Sequence, residues 1–321
     1  MNQHSAGPSA ASPLITVVLC TRDRAALFQK AMASLVAQDF PKSQYEIVVV
    51  DNASSDNTAE VASSFAQQAN VRYLREERVG LCIARNTGWQ AANAPYVALF
   101  DDDAIAQPGW LAAIARTFTQ NSSTIGVIGG RVDPIWMSPR PEWLTDDIAG
   151  ALTIVDWGPE RRVITDLRSQ WLVGANMAAP KAVLAEVGGF HPWLDRCGNN
   201  LLSSGDVHLQ KAIVGRGYEC VYVPDMAIQH LAATSRLSQA WFTKRFYWQG
   251  MSDAVMHIID ESPSRLRRLK LAARALARLG GSAARLRALT LPTRDRALFR
   301  AKCLALIDVG YAAGILGAAG R

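Results

Sequence analysis

The sequence predicts an α/β fold, with a mostly parallel mixed sheet, helices on both faces, and a helical C-terminal appendage. Three observations carry this. Apolar, β-branched runs alternate with segments of helical period through the first hundred residues, the pattern of βαβ units. Several of these runs end abruptly in polar turns, where α/β sheets place their ligands. With 321 residues, 49% of them hydrophobic and 19% charged, the chain is long enough for one large domain or two modest ones and is not disordered as a whole.

The elements follow in order. Leu14–Leu19 reads as a first strand, closed by the turn Cys20-Thr-Arg-Asp-Arg24. A helical pattern spans 25–38 and stops before Phe40-Pro41, because proline disfavours continuation. Glu46–Val50 is a second strand, apolar enough to be buried on both faces, and it ends in the turn and cap cluster Asp51-Asn-Ala-Ser-Ser-Asp56. A helix over 57–69, a strand over Val71–Leu74, a helix over Leu81–Ala92 and a strand over Tyr96–Phe100 complete the regular part. Beyond it the pattern predicts strands near 125–132 and 218–223 and helices near 180–187 and 206–216. After Ser262-Pro263 the composition shifts to Arg, Ala and Leu, with Gly280-Gly281 and Pro292 dividing helices. The expected division is therefore a disordered leader over 1–13, one domain over 14–262 whose halves meet at 104/105, and a basic amphipathic tail over 263–321.

The net charge of +6 hides an asymmetry. Residues 265–321 hold thirteen Lys/Arg against only Asp295 and Asp308, while the rest of the chain is net acidic. A uniformly basic nucleic-acid-binding body is excluded, and no nucleic-acid partner is expected. Five scattered cysteines without a C-x-x-C pair argue against a disulfide framework or zinc ribbon and fit reduced thiols in a cytoplasmic protein. Residues 1–12 lack the basic start and apolar run of a signal peptide, and no stretch has the uninterrupted apolar length of a membrane span.

Asp101-Asp-Asp103 is the most pointed feature. Three adjacent carboxylates at a strand end repel one another unless a cation sits among them, and oxygen ligands suit Mg²⁺ or Mn²⁺. The competing reading is an acidic turn that caps the helix entered near Pro108. Neither a G-x-G-x-x-G after the first strand nor a G-x-x-x-x-G-K-[ST] occurs, which weighs against dinucleotide dehydrogenases and P-loop enzymes.

Several stretches together resemble a known family. Ile15–Arg24, Val50–Thr58, Ala84-Arg-Asn-Thr-Gly88, Phe100–Ala104, Gly174-Ala-Asn176, Gly188-Gly-Phe190, Leu201–Asp206, Tyr222-Val-Pro-Asp225 and His230 are similar, in order and spacing, to family 2 glycosyltransferases of the GT-A fold. The likeness covers about 14–250. It implies a Rossmann-like nucleotide-sugar half and an inverting, metal-dependent hexosyltransferase, with uridine or thymidine diphosphate donors favoured. Thr21 and Arg22 would edge the nucleotide, Asp51 would take the base or ribose, and Arg85 would lie over the diphosphate. Asp101, Asp102 and Asp103 would face the donor, with the D-x-D pair Asp101 and Asp103, and His230, holding Mn²⁺ or Mg²⁺.

Asp206 resembles the family's catalytic base, normally the second acid of a Glu-Asp or Asp-Asp pair opening a helix. Here Gly205 precedes it, so one carboxylate of the pair is missing; an N-cap role is compatible with the base. A carboxylate is needed because an acceptor hydroxyl must lose its proton as it attacks the anomeric carbon. Trp193 is a candidate acceptor contact, since sugar C–H faces stack on indole, and Gly205 and Asn176 are candidates through the resemblance. Lys244 and Arg245, inside the aromatic stretch Trp241–Gly250, are candidate diphosphate contacts by the same resemblance. The arginine-leucine tail over 265–302 suits an anionic membrane surface, and a glycan or lipid-linked acceptor in cell-surface polysaccharide or glycolipid synthesis would fit a cytoplasmic, peripherally membrane-bound enzyme. The rival readings are a nucleotidyltransferase and an impaired, sugar-binding scaffold subunit.

Overall fold

The computed structural model describes residues 12–66, 70–120, 124–196, 200–281, 283–290 and 295–318. Most of the expected leader, Cys197 and Pro292 lie outside them. Strand β1 (Ile15–Thr21) is buried along its whole length, as its unbroken apolar run requires. It pairs in parallel with β2 (Tyr45–Asp51) on one side and β4 (Tyr96–Asp101) on the other, and β2 pairs in parallel with β3 (Val71–Arg75). Helices α1 (Ala25–Val36), α2 (Thr58–Phe65) and α3 (Leu81–Ala91) make the crossovers. The register sets Thr21 opposite Asp51 and Cys20 opposite Asp101, so these residues line up on one carboxyl edge.

The chain continues through β5 (Ala104–Ala106), α4 (Trp110–Gln120), β6 (Ile125–Gly129), β7 (Val132–Trp136), α5 (Asp146–Ala149), β8 (Arg162–Val163), β9 (Asn176–Pro180), α6 (Lys181–Val187), α7 (Gly205–Gly215), β10 (Glu219–Tyr222) and β11 (Ile228–Ala232). Among the described residues the main sheet has eight strands in the order β3-β2-β1-β4-β9-β6-β10-β8, and β9 runs antiparallel to both β4 and β6. A second, three-stranded sheet has the order β5-β11-β7. The single strand expected near 125–132 is two strands, one in each sheet. The chain changes sheets at Gly130, where a Cβ would fall 1.8 Å from the Met226 carbonyl oxygen, so only glycine passes.

Helices α8 (Gln239–Glu261), α9 (Arg265–Gly280), α10 (Ala283–Thr290) and α11 (Arg296–Ala313) form the C-terminal part. The helices beyond residue 263 pack back onto α8 through α11. Helices α8 and α11 touch backbone to backbone: a Cβ on Gly250 would lie 2.0 Å from the Ile307 carbonyl oxygen, and one on Gly310 would lie 1.9 Å from that of Tyr247. Asp308 of α11 is buried and is paired by Arg278 and Arg285, at 2.6 and 2.9 Å. Among the described residues no helix is long and apolar enough to cross a membrane, and Cys20, Cys82, Cys220 and Cys303 are buried free thiols.

Candidate active site

Three aspartates follow one another where β4 turns into β5, and the turn points them three ways. Arg85 Nη2 donates to Asp101 Oδ1 at 2.9 Å. Asp102 turns back to β1, accepting from Thr21 Oγ1 at 2.8 Å and Arg24 Nη1 at 3.1 Å. Asp103 lies 3.0 Å from His230 Nε2, 3.3 Å from Arg24 Nη1 and 3.8 Å from Arg236 Nη2. His230 comes from far along the chain because β11 lies antiparallel to β5, with His230 opposite Ala104. The fan solves the repulsion problem by giving each carboxylate a cationic neighbour.

The environments then diverge. Burial pushes the Asp102 carboxyl up to about 6, with Asp101 and Asp103 adding to the rise against Arg24 and the Thr21 hydroxyl. Burial acts on Asp103 in the same direction, but His230, Arg236 and Arg24 outweigh it and hold that carboxyl well below the usual carboxylate range. Asp101, Asp103 and His230 each present a ligand atom within 4.8 Å of the others. Two carboxylate oxygens and an imidazole nitrogen form a donor set that fits Mn²⁺ or Mg²⁺. The buried, unpartnered Nδ1 of His230 is the one orphan polar atom of this group.

From Asp101 the site runs on to Asp206 through two contacts. Arg85, only 6% exposed, lies against Gly174, where a Cβ would approach its Nη1 to 2.5 Å. The Gly174 N–H in turn donates to Asp206 Oδ2 at 3.0 Å. Asp206 stands in the first turn of α7, and its Oδ1 accepts from the Val207 N–H at 2.9 Å. Helix α3, which carries Arg85, is capped from a distance by buried Asp195, whose carboxylate takes the Cys82 and Ile83 N–H groups at 2.9 and 3.3 Å. One contiguous set therefore joins a metal-fitting group, a buried arginine and an oriented carboxylate.

Residues 16–182 match glycosyl transferase family 2. The chain belongs to that family. It is 25% identical over 249 residues to the glucosyl-dolichyl phosphate glucuronosyltransferase of Haloferax volcanii, a match covering 76% of this chain and 78% of that protein. It is 27% identical over 207 residues to the validoxylamine A glucosyltransferase of Streptomyces hygroscopicus subsp. jinggangensis, covering 57% of this chain and 48% of the relative. Among solved structures, a mannosyltransferase from Pyrobaculum calidifontis in complex with GDP-Man and Mn²⁺ superposes with a TM-score of 0.63 at 20% identity, over 99% of this chain and 91% of that one. S. aureus TarS 1-349 in complex with UDP-GlcNAc gives 0.57 at 16% identity, over 94% and 90%. The fold is that of GT-A glycosyltransferases.

For a family 2 enzyme the remaining expected residues fall unevenly. Thr21 and Asp51 are buried at the sheet edge. Asp51 Oδ1 accepts from the Ser54 N–H at 2.8 Å, and Oδ2 accepts from the Tyr73 hydroxyl and, at 3.2 Å, from Arg75 Nη1. Arg22 is exposed and lies 3.5 Å from Asp23. Gly205 explains the missing acid: a Cβ there would lie 2.8 Å from Cys82 Sγ, so the close packing of α7 on α3 occupies the space a side chain needs. Asn176, expected among the acceptor contacts, faces the interior. It is fully buried, accepting from Trp110 Nε1 at 2.8 Å and donating to the Met226 and Arg131 carbonyls at 2.7 and 3.1 Å, which commits both ends of its amide to bracing the sheet. Trp193 is 51% exposed with its ring edge-on to His191, available for stacking. Lys244 is exposed, whereas Arg245 is turned inward on α8. Sequence reasoning missed Arg236 and Asp195 and named Arg24 only as part of a turn. Nothing local marks Arg236 or Asp195, since their partners lie on other elements.

Proposed function

We propose that this chain, a family 2 glycosyltransferase with a nucleotide-sugar donor, transfers the sugar with inversion to a hydroxyl of a glycan or lipid-linked acceptor. The observation that carries this reading is the contiguous set from Asp103 through Asp101 and Arg85 to Asp206. Asp101, Asp103 and His230 are the residues that would hold a divalent ion, which when bound offsets the charge of the diphosphate leaving group. Arg85, Arg24 and Arg236 bring cationic donors to the same place, so developing charge meets preorganised partners rather than reorienting water. Asp206 takes the acceptor proton, and its two backbone N–H bonds hold the carboxylate in one direction. Trp193 offers an indole face to the acceptor. The neighbours above bind GDP-mannose and UDP-GlcNAc on one fold, so the base is a question for titration.

The tail supports docking on an anionic membrane. Leu266, Leu269 and Leu276 of α9 are 64%, 57% and 48% exposed, while Ala272, Ala275 and Leu279 pack inward. At helical spacing these leucines form one stripe, flanked by Arg265 on one side and Lys270 and Arg274 on the other, the arrangement of interfacial helices. A relative whose acceptor is a dolichyl phosphate-linked sugar is consistent with that use.

Calorimetry against UDP, dTDP, GDP and CDP, each with Mn²⁺ and with chelator, tests the donor reading. Binding of one nucleoside diphosphate that needs the metal is the expected result. No nucleotide binding by folded protein would overturn it and favour the scaffold alternative.

A further inference from the structure

Arg24, Arg85 and Arg236 each reach a strand-end carboxylate, at 3.1, 2.9 and 3.8 Å. Arg245 reaches none. Its Nη2 donates to Gln249 Oε1 at 2.9 Å, one turn along α8, but its Nε and Nη1 are buried without a hydrogen-bond partner among the described residues. Buried guanidinium donors left without an acceptor are costly, and an acceptor that reaches them removes the cost. The side chain is also held from behind. Gln249 Nε2 donates to Ser204 Oγ at 3.0 Å and to Asp253 Oδ1 at 2.9 Å. Ser204 is the residue from which α7 starts, two positions before Asp206, and its backbone adopts φ 71°. Arg245, Gln249 and the entry to α7 therefore form one linked set at the Asp206 end of the site.

The charges around Arg245 are mixed. Burial, with Arg196 and Arg236 as like-charged neighbours, brings its guanidinium down to about 10 against the opposing pull of Asp206 and Asp253. Neither carboxylate takes its unused N–H donors, and an anion that reaches them completes the group. A guanidinium binds phosphate and carboxylate through directed, charge-assisted hydrogen bonds.

The geometry points to a second anion subsite in which Arg245 receives a phosphate or carboxylate that the acceptor carries beside its reacting hydroxyl. Its separation from the donor diphosphate rests on the reading proposed above, in which the diphosphate lies with the metal-fitting group and Arg24, Arg85 and Arg236. The acceptor of this enzyme is accordingly acidic close to the point of transfer.

The test titrates full-length protein with inorganic phosphate, with glucuronate and with neutral glucose, first alone and then saturated with Mn²⁺ and the nucleoside diphosphate. The expected result is binding of phosphate or glucuronate, but not glucose, that survives saturation. The tighter of the two anions identifies the acceptor as phosphate-bearing or uronate-bearing. Arg245→Gln should weaken that anion by about tenfold or more, the scale of a lost charge-assisted bond, while nucleoside diphosphate affinity stays within about twofold. Arg245→Lys, which keeps the charge and the fold, should fall between. Equal anion affinity in R245Q and wild type, or no anion binding by wild type, overturns the subsite. A tenfold loss of nucleoside diphosphate affinity in R245Q also overturns it and hands Arg245 to the donor. If wild type binds no nucleoside diphosphate, the donor reading fails instead, and the titration of unsaturated protein still decides Arg245.

Discussion

The two ends of the site meet at Arg85 and are built on different plans. At the proposed donor end, Thr21, Asp51 and Asp101 stand on the last residues of neighbouring parallel strands, and Asp101, Asp102 and Asp103 each have a cationic partner within 3.3 Å. At the other end, Asp206 stands on the first turn of a helix entered through a left-handed residue. Its supports are the Gly174 N–H and a side-chain ladder from α8. Strand register holds the first end, and packing between distant elements holds the second. On the proposed roles, the contrast predicts that affinity for the donor and the rate of transfer are lost separately.

Two substitutions break the comparison most sharply. Asp103→Ala should abolish metal-dependent nucleoside diphosphate binding and lower transfer by roughly three orders of magnitude, the scale for removing transition-state charge stabilisation. Asp206→Asn should lower transfer by roughly 10²- to 10⁴-fold while calorimetric nucleoside diphosphate binding is retained. Equal loss of binding in both variants would mean that the ends are not separable. Gly174→Ala addresses the joint. A methyl there displaces Arg85, so kcat should fall by about tenfold to a hundredfold with donor affinity weakened too, a combined signature that neither end produces alone.

Smaller effects sharpen the picture. Gly250→Ala forces α8 and α11 apart next to Gln249 and should cost about 1–3 kcal/mol in denaturant unfolding, with kcat reduced more than nucleoside diphosphate affinity. Preserved stability would show that the helix contact relaxes freely. Glu76 offers a pH test at the donor end. Its carboxylate accepts from Arg78 at 2.8 Å and from the Thr87 hydroxyl at 2.7 Å, and Arg78 above all brings it down to about 2 from 4.5. A depressed carboxyl stabilises the fold above its unfolded value and loses that contribution as pH falls through its folded one. Glu76→Gln should therefore lower the Tm at neutral pH, and the difference from wild type should close between about pH 4.5 and about pH 2. A Tm difference that stays constant over that range would assign the effect to packing.

Much of the donor end is legible in the sequence. The runs Leu14–Leu19, Glu46–Val50 and Tyr96–Phe100 lie within a few residues of β1, β2 and β4, because a fully buried parallel strand must be continuously apolar and its carboxyl end opens into a polar turn. The second half is less so. Strand β9 leaves no such signal, because Asn176-Met-Ala-Ala-Pro180 is short and carries no alternation. The division of 125–132 between two sheets depends on Met226, nearly a hundred residues later. Gly205 reads as a missing acid in the sequence; in the fold it is the close approach of α7 to Cys82.

By itself the sequence determined the alternating α/β plan, the family, the strand-end aspartates and the basic tail, since each is written in local periodicity or in a motif of fixed spacing. Tertiary structure alone decided which carboxylate each arginine neutralises, that Asp195 caps the helix carrying Arg85, that Asn176 is sealed inside the sheet, and that Arg245 is left with donors unused. Those outcomes depend on contacts between residues tens to more than a hundred positions apart, and chain order carries no record of such distances until the sheets close.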